Sequence, residues 1–382
     1  MSRILLRAFG VLLMLTALAV PLARAPDRAV QTLVARWAPP PSDFIEVRGQ
    51  LVHLRDEGPR DDPEPLVLIH GTSASLHTWD GWVAALKRER RVIRFDLPGF
   101  GLTGPFTGEH APQDYRGDTL ARFTLELLDH LRLQRVVLAG NSLGGEVAWR
   151  VASLAPLRVS RLVLVDATGY DVAPQRVPPA FLLSSVPVLS HIGDHLLMKG
   201  WVEASVRSVY GDPARVTPAL VDRYFELALR EGNRPALRQR LQQLEVGQDV
   251  ARIAALRLPV LLLWGERDAL VPPAAGRRFL ADIPGSQLVL LPGLGHVPQE
   301  EDPQTSVLPV RAFLGLKAGA QTVATSGGGP ALTATATAPV TARATATASA
   351  TATATASASA SASASASASA ASAPVTDAGA GR

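Results

Sequence analysis

Ser142, Asp268 and His296 follow one another in an order that suits acyl transfer, and each sits in a local pattern that could expose it. Ser142 stands in Gly140-Asn141-Ser142-Leu143-Gly144-Gly145. An apolar, β-branched run, Val136–Ala139, precedes it, and a helix-like pattern from Glu146 to Leu154 follows. The stretch reads as strand, sharp turn, helix, with the serine in a G-x-S-x-G turn. A serine at such a tip needs small neighbours, because strand and helix backbones close on each other there. The turn exposes the hydroxyl beside a helix N-terminus, whose free N–H groups favour developing negative charge. The Leu143 N–H would face an oxyanion. The pentapeptide alone also fits a plain Gly-rich βα turn, so its partners decide.

A serine nucleophile needs a base and a group to orient that base. The predicted strand Val260–Trp264 runs into Gly265-Glu266-Arg267-Asp268, which puts a carboxylate at the C-terminal edge of a parallel sheet, where α/β sites collect. The predicted strand Gln287–Leu291 runs into Pro292-Gly293-Leu294-Gly295-His296, a loop free enough to turn its histidine back to the serine. An aspartate after a strand is commonly a cap, and a lone histidine is commonly structural. The three patterns together predict a Ser142–His296–Asp268 triad.

A second oxyanion donor is expected after the third strand, in Ile69-His70-Gly71-Thr72-Ser73. Gly71 allows close backbone approach, and the Thr72 N–H is the expected donor, with Ser73 as the fallback. Two competitors are set aside. His70 is read as shaping its loop, and Asp96, in Asp96-Leu97-Pro98-Gly99-Phe100-Gly101, as structural, because it precedes the serine in the chain.

Elements that could position these residues alternate along the chain. After two short strands, Phe44–Val47 and Leu51–Leu54, come strand Leu66–Ile69, helix Leu76–Leu86, strand Arg91–Phe95, helix Thr119–Leu131, strand Arg135–Ala139, helix Gly144–Leu154 and strand Arg161–Val165. This predicts an α/β fold with a mostly parallel sheet and helices on both faces. From Thr168 to about Gln248 there is no strand pattern, only amphipathic pieces at Ala180–Leu189, Leu196–Val209, Thr217–Glu231 and Arg234–Leu244, so a helical lid is expected after the sixth strand. Strands resume at Val260. A last helix is expected to start at Asp302 as N-cap with Pro303 in its first position.

The organisation expected is therefore residues 1–25 as a signal or signal-anchor, 26–42 as a connector, 43–167 and 249–317 as the two parts of the core, 168–248 as the lid, and 318–382 as a tail. Arg3 and Arg7 precede the apolar run Ala8–Ala23, and Pro26 disfavours cleavage after Ala25. The expectation is a membrane-anchored protein with its core domain outside the cytoplasm, the alternative being secretion after cleavage. The tail is Ala/Thr/Ser repeats with almost no charge, too poor in large apolar groups to offset ordering entropy, and is expected to be disordered.

The formal net charge is +4 over 382 residues, and its cations are scattered, so no nucleic-acid partner is expected. There is no cysteine, which excludes disulfides, thiolate catalysis and cysteine metal sites. No metal or cofactor is expected. Oligomeric state is left open.

Together, His70-Gly71, Asp96-x-Pro98-Gly99-x-Gly101, the Ser142 elbow, Gly265-x-x-Asp268 and Gly295-His296 resemble the α/β-hydrolase fold superfamily, in its lid-bearing serine-hydrolase branch, from about Phe44 to Gly315. The resemblance implies an eight-stranded, mostly parallel sheet and an esterase- or lipase-like activity on carboxylic esters with an apolar acyl group. Haloalkane dehalogenases and epoxide hydrolases of this fold use an aspartate nucleophile, against which Ser142 speaks. Hydrolases that cleave C–C bonds in ring-fission products resemble the Gly-Asn-Ser-x-Gly-Gly elbow, but commonly carry tryptophan where Val297 stands. They are the runner-up, and a non-catalytic binding member of the fold is the rival from another class.

Overall fold

A computed structural model describes residues 25–110, 113–178 and 196–317, with Arg7, Gly10 and Met14. The chain divides into two compact units, residues 1–321 and 322–382. The second unit, and with it the whole of the tail expected over 318–382, lies outside the described residues.

The first unit is built on one sheet of eight strands: β1 (Ser42–Val47), β2 (Gln50–Glu57), β3 (Leu66–Ile69), β4 (Val92–Phe95), β5 (Val136–Asn141), β6 (Val159–Val165), β7 (Val260–Gly265) and β8 (Gln287–Leu291). Their order in space is β1-β2-β4-β3-β5-β6-β7-β8. β1 with β2 and β2 with β4 are antiparallel, and every later pair is parallel. β3 to β7 are wholly buried or nearly so, as their Val/Ile/Leu runs require of strands covered on both faces.

Helices α1 (Val30–Trp37), α2 (Asp80–Leu86), α3 (Gly117–His130), α4 (Leu143–Leu154), α5 (Lys199–Val209), α6 (Pro218–Ala228), α7 (Asn233–Gln242), α8 (Val250–Ala254), α9 (Pro273–Asp282), α10 (Pro298–Glu301) and α11 (Pro303–Phe313) complete the described unit. One core packs Phe123, Leu127, Val147, Trp149 and Phe279 against one face of the sheet. The other packs Trp79, Trp82, Val83, Val307 and Val310 against the opposite face. α11 starts as its sequence dictates: the Asp302 carboxylate accepts the Thr305 N–H at 3.0 Å, and Pro303 opens the helix.

α5 to α7 form a helical insertion between β6 and β7, consistent with the lid expected over 168–248, and α8 follows past that boundary. The predicted lid helix at 180–189 lies outside the described residues. Within the stretch read as a connector, α1 buries Leu33 against Leu102 and Leu227, and Trp37 Nε1 donates to Glu226 of α6 at 2.8 Å. Arg28 exchanges backbone hydrogen bonds with Leu229 and Glu231 at 2.7 and 2.9 Å. Those contacts are long-range, and the composition of residues 26–42 carries no sign of them.

The membrane expectation is corrected. Among the described residues no helix is long and apolar enough to cross a membrane. Residues 4–23, on which anchoring and the extracytoplasmic placement rested, lie outside the described residues apart from Arg7, Gly10 and Met14. Their uninterrupted apolar run is shorter than the ~20 residues that span a bilayer, and neither anchoring nor signal-led export finds support in the structure.

Candidate active site

β5 ends at Asn141 and α4 begins at Leu143, so Ser142 is the single residue of the turn between them. It takes φ 56° and ψ −118°, a conformation that L side chains rarely adopt. The surrounding packing holds it there. The Ser142 N–H donates to the Val165 carbonyl of the neighbouring strand at 3.0 Å, and its own carbonyl accepts from Glu146 and Thr168. The glycine two residues on answers a close approach: a Cβ on Gly144 would lie 2.1 Å from the Ile69 carbonyl oxygen. The crossing of α4 over β3 therefore tolerates no side chain at that position.

Thr72 follows β3, which lies beside β5 in the sheet. At Gly71 a Cβ would stand 3.1 Å from the Ser142 Cβ, so the loop that carries the Thr72 N–H passes directly over the serine. Leu143, the first residue of α4, is buried. His70 shapes this loop as expected. Its Nδ1 donates to the Gly71 carbonyl at 2.8 Å, and its Nε2 accepts the Leu97 N–H at 2.9 Å. Those partners define a neutral ring, and complete burial pushes its pKa down.

Asp268 and His296 meet in a buried pair, Asp268 Oδ2 to His296 Nδ1 at 2.7 Å. The other carboxylate oxygen accepts the N–H groups of Leu270 and Val271 at 2.8 and 3.0 Å, which fixes the Asp268 rotamer. His296 thus presents Nε2 away from Asp268, the nitrogen a base would use.

Asp96, the competing acid, is engaged elsewhere. It accepts from His53 Nδ1 at 2.7 Å and from the N–H groups of Leu76 and Leu102 at 2.7 and 2.8 Å. Burial opposes its charge, but the adjacent His53, by charge and hydrogen bond, holds its carboxyl below the usual carboxylate range. It ties the loops after β3 and β4 to β2.

Three residues around the Asp268–His296 pair escaped the sequence reading. Asn141 donates its amide to the His296 carbonyl at 2.9 Å and to the Val165 carbonyl at 3.2 Å. Glu301 accepts three N–H groups, those of Gly295 at 2.8 Å, Gly211 at 2.9 Å and Asp212 at 2.8 Å. It stitches the histidine loop to the end of α5, and the His296 N–H adds a bond to the Val209 carbonyl at 2.8 Å. Asp166, at the end of β6, is wholly buried near Asp268 and His296. The criterion that selected Asp268, an acid just past a parallel strand, also fits Asp166. The elbow motif contains Asn141 but gives no sign of its partner, the His296 carbonyl, and no pattern marks Glu301, whose partners Gly211 and Asp212 lie far away in the chain.

The parallel sheet with flanking helices, the turn at Ser142 and the helical insertion define a class. The chain belongs to the alpha/beta hydrolase fold family, whose profile matches residues 64–303, and it is a hydrolase. It is 32% identical over 281 residues to the dihydrolipoyllysine-residue acetyltransferase component of the acetoin cleaving system of Pseudomonas putida, a match covering 72% of this chain and 70% of that protein. It is 30% identical over 256 residues to a pimeloyl-[acyl-carrier protein] methyl ester esterase of Nitrosomonas europaea, covering 65% of this chain and 93% of that one. Among solved structures it is similar in fold to a meta-cleavage product hydrolase of Pseudomonas fluorescens IP01, with a TM-score of 0.62 at 23% identity, over 72% of this chain and 97% of that one.

Proposed function

We propose that this hydrolase cleaves carboxylic esters with an apolar acyl group, through Ser142, His296 and Asp268 and a covalent acyl-enzyme. The observation that carries the reading is the buried 2.7 Å contact between Asp268 and His296, whose histidine backbone is tied to Asn141, the residue before the serine. In this reading His296 Nε2 takes the Ser142 proton as the hydroxyl oxygen attacks the carbonyl carbon. The Leu143 and Thr72 N–H groups receive the oxyanion, and one such donor is typically worth about 3 kcal/mol. The proton then passes to the leaving alcohol, and water, activated by the same imidazole, releases the acid. Asp268 orients the ring and stabilises its cation without taking the proton.

The choice of an apolar acyl group rests on the lipase-like resemblance of the motifs, and the cavity of about 30 Å³ beside Ser73 is room for a water molecule or two rather than an acyl chain. Its walls include Ala74, Phe100, Leu227 and Leu237. The methyl ester esterase among the relatives points to esters too.

A second reading, hydrolysis of a C–C bond in a ring-fission product, draws on the Asn-Ser elbow and the likeness in fold to the meta-cleavage product hydrolase. Against it, Val297 stands where those enzymes commonly have tryptophan, and it is packed among Val202, Val206 and Tyr210 of the insertion. The test is one panel on the purified protein: p-nitrophenyl esters of rising acyl length beside a 2-hydroxy-6-oxo-dienoate. Turnover of the esters alone supports the first reading, and faster turnover of the dienoate selects the second.

A further inference from the structure

Asp166 closes β6 and carries a positive φ of 45°, rare for a residue with a side chain. Its backbone is fixed by donation to the Leu263 carbonyl at 2.9 Å. The side chain is fully buried, and one oxygen, Oδ1, accepts the Gly265 N–H at 2.8 Å. The other, Oδ2, is buried with no hydrogen-bond partner. A carboxyl oxygen of Asp166, one of Asp268 and a ring nitrogen of His296 all lie within 4.8 Å of one another.

Two carboxylates this close in a dry interior do not both ionise. Their donors decide which one keeps the charge. Asp268 receives three hydrogen bonds, from Leu270 N–H, Val271 N–H and His296 Nδ1–H, all of which favour its anion. Asp166 receives one. The proton therefore belongs on Asp166, and the unpartnered Oδ2 is the oxygen with room for it. Metal binding by the three residues is a poorer account, since His296 Nδ1 is already committed to Asp268.

We propose that Asp166 is a positioning residue for the reaction: a neutral carboxylic acid that donates a hydrogen bond from Oδ2 to the Asp268 carboxylate and holds that carboxylate opposite His296. This rests on the reading of Asp268 and His296 as the acid and base of the site. Burial, then the nearby charge of Asp268, pushes the Asp166 pKa well above the ordinary carboxylate value, with Glu301 adding in the same direction. The other groups facing Asp166 are His296 and the Gly265 N–H.

The experiment compares Asp166→Asn and Asp166→Ala with the unaltered protein. Asparagine is neutral, keeps an acceptor for Gly265 and can donate to Asp268. It is expected to hold kcat/KM within about threefold and leave the acid limb of the pH profile in place. Alanine removes the donor and leaves Asp268 more able to stabilise a protonated His296. Its kcat is expected to fall about tenfold or more, and its acid limb to move to higher pH by about half a unit. A folded Asp166→Ala protein with unchanged kcat and acid limb would overturn the proposal, as would an Asp166→Asn protein as impaired as the alanine variant. Should alanine fail to fold, the carbon-13 carboxyl resonance of Asp166 in the unaltered protein, assigned by its loss in Asp166→Asn, decides. A protonated carboxyl at neutral pH supports the proposal, and an ionised one contradicts it. That resonance does not depend on catalysis, so it separates failure of this proposal from failure of the esterase reading, which Ser142→Ala tests.

Discussion

Asn141, the residue before Ser142, holds the main-chain carbonyl of His296 through its side-chain amide at 2.9 Å. One buried amide thus links the turn after β5 to the loop after β8, 155 positions further along the chain. It also grips Val165 at the end of β6. Replacing Asn141 with alanine leaves the buried His296 carbonyl without its donor, at about 1–3 kcal/mol in the worst case, while the Val165 carbonyl keeps the Ser142 N–H. The expected outcome is a lower melting temperature and a kcat reduced more than KM, read by thermal denaturation and steady-state ester kinetics. Unchanged kcat in a folded Asn141→Ala protein would show that the tie does not matter for catalysis.

Gly144 is predicted to be irreplaceable. A Cβ there meets the Ile69 and His70 carbonyl oxygens at 2.1 and 2.6 Å, and both are rigid strand or loop backbone. Gly144→Ala is expected to destabilise by on the order of 4 kcal/mol or more, the range of severe core clashes, measured by urea denaturation or seen as failure to accumulate folded protein. A Gly144→Ala protein of normal stability would mean that α4 can move off β3.

Glu301 is predicted to couple the insertion to the histidine loop. Its carboxylate uses both oxygens as acceptors for three N–H groups. Glutamine, with one acceptor oxygen and a donating amide NH2 in place of the other, cannot satisfy all three. Glu301→Gln is expected to cost about 1–3 kcal/mol and to lower kcat by loosening the His296 loop. Melting curves and ester kinetics on the same preparation check both parts, and a variant with native stability and kcat contradicts the coupling.

His77 is predicted to make stability depend on pH. Burial, with Arg223 and Arg55 nearby, lowers its pKa from 6.5 to about 4 against the opposing pull of Asp96 and Asp80. Its ring bonds suit the neutral form: Nε2 donates to the Trp37 carbonyl at 2.8 Å, and Nδ1 accepts from Ser75 Oγ at 3.1 Å. Between the folded and unfolded values the unfolded chain binds more protons, so unfolding free energy rises with pH across that window and levels off above it. Urea denaturation from pH 4 to 7 is expected to show this slope, and His77→Gln to flatten it. An equal slope in the variant would assign it to other groups.

The centre of the sheet was legible because β3 to β7 are buried on both faces and write themselves as apolar runs. Leu66–Ile69 and Gln287–Leu291 end where the sequence places them, and Val260–Gly265 runs one residue further. Helix starts with local caps were equally readable, as at Asp302-Pro303. The pairing of Asp268 with His296 followed from strand–loop order, because the ends of neighbouring parallel strands β7 and β8 bring them to one sheet edge. α1 was not legible. Its N-cap, Ala29, makes no side-chain cap bond, and what holds the helix is contact with α6 far along the chain. Asn141, Glu301 and Asp166 were missed for a related reason: their value lies in partners that only the folded chain supplies. The membrane reading of the N-terminus rested on Arg3 and Arg7 before an apolar run and on Pro26 after Ala25, and no described helix bears it out.

The most direct test of the account is covalent. The purified protein is treated with a fluorophosphonate, digested, and the modified peptide located by mass spectrometry, with Ser142→Ala carried through the same procedure and its ester hydrolysis measured. The account predicts stoichiometric modification at Ser142, and a folded Ser142→Ala protein with neither label nor hydrolysis. Modification at another residue, or near-native hydrolysis by the folded alanine variant, would contradict it.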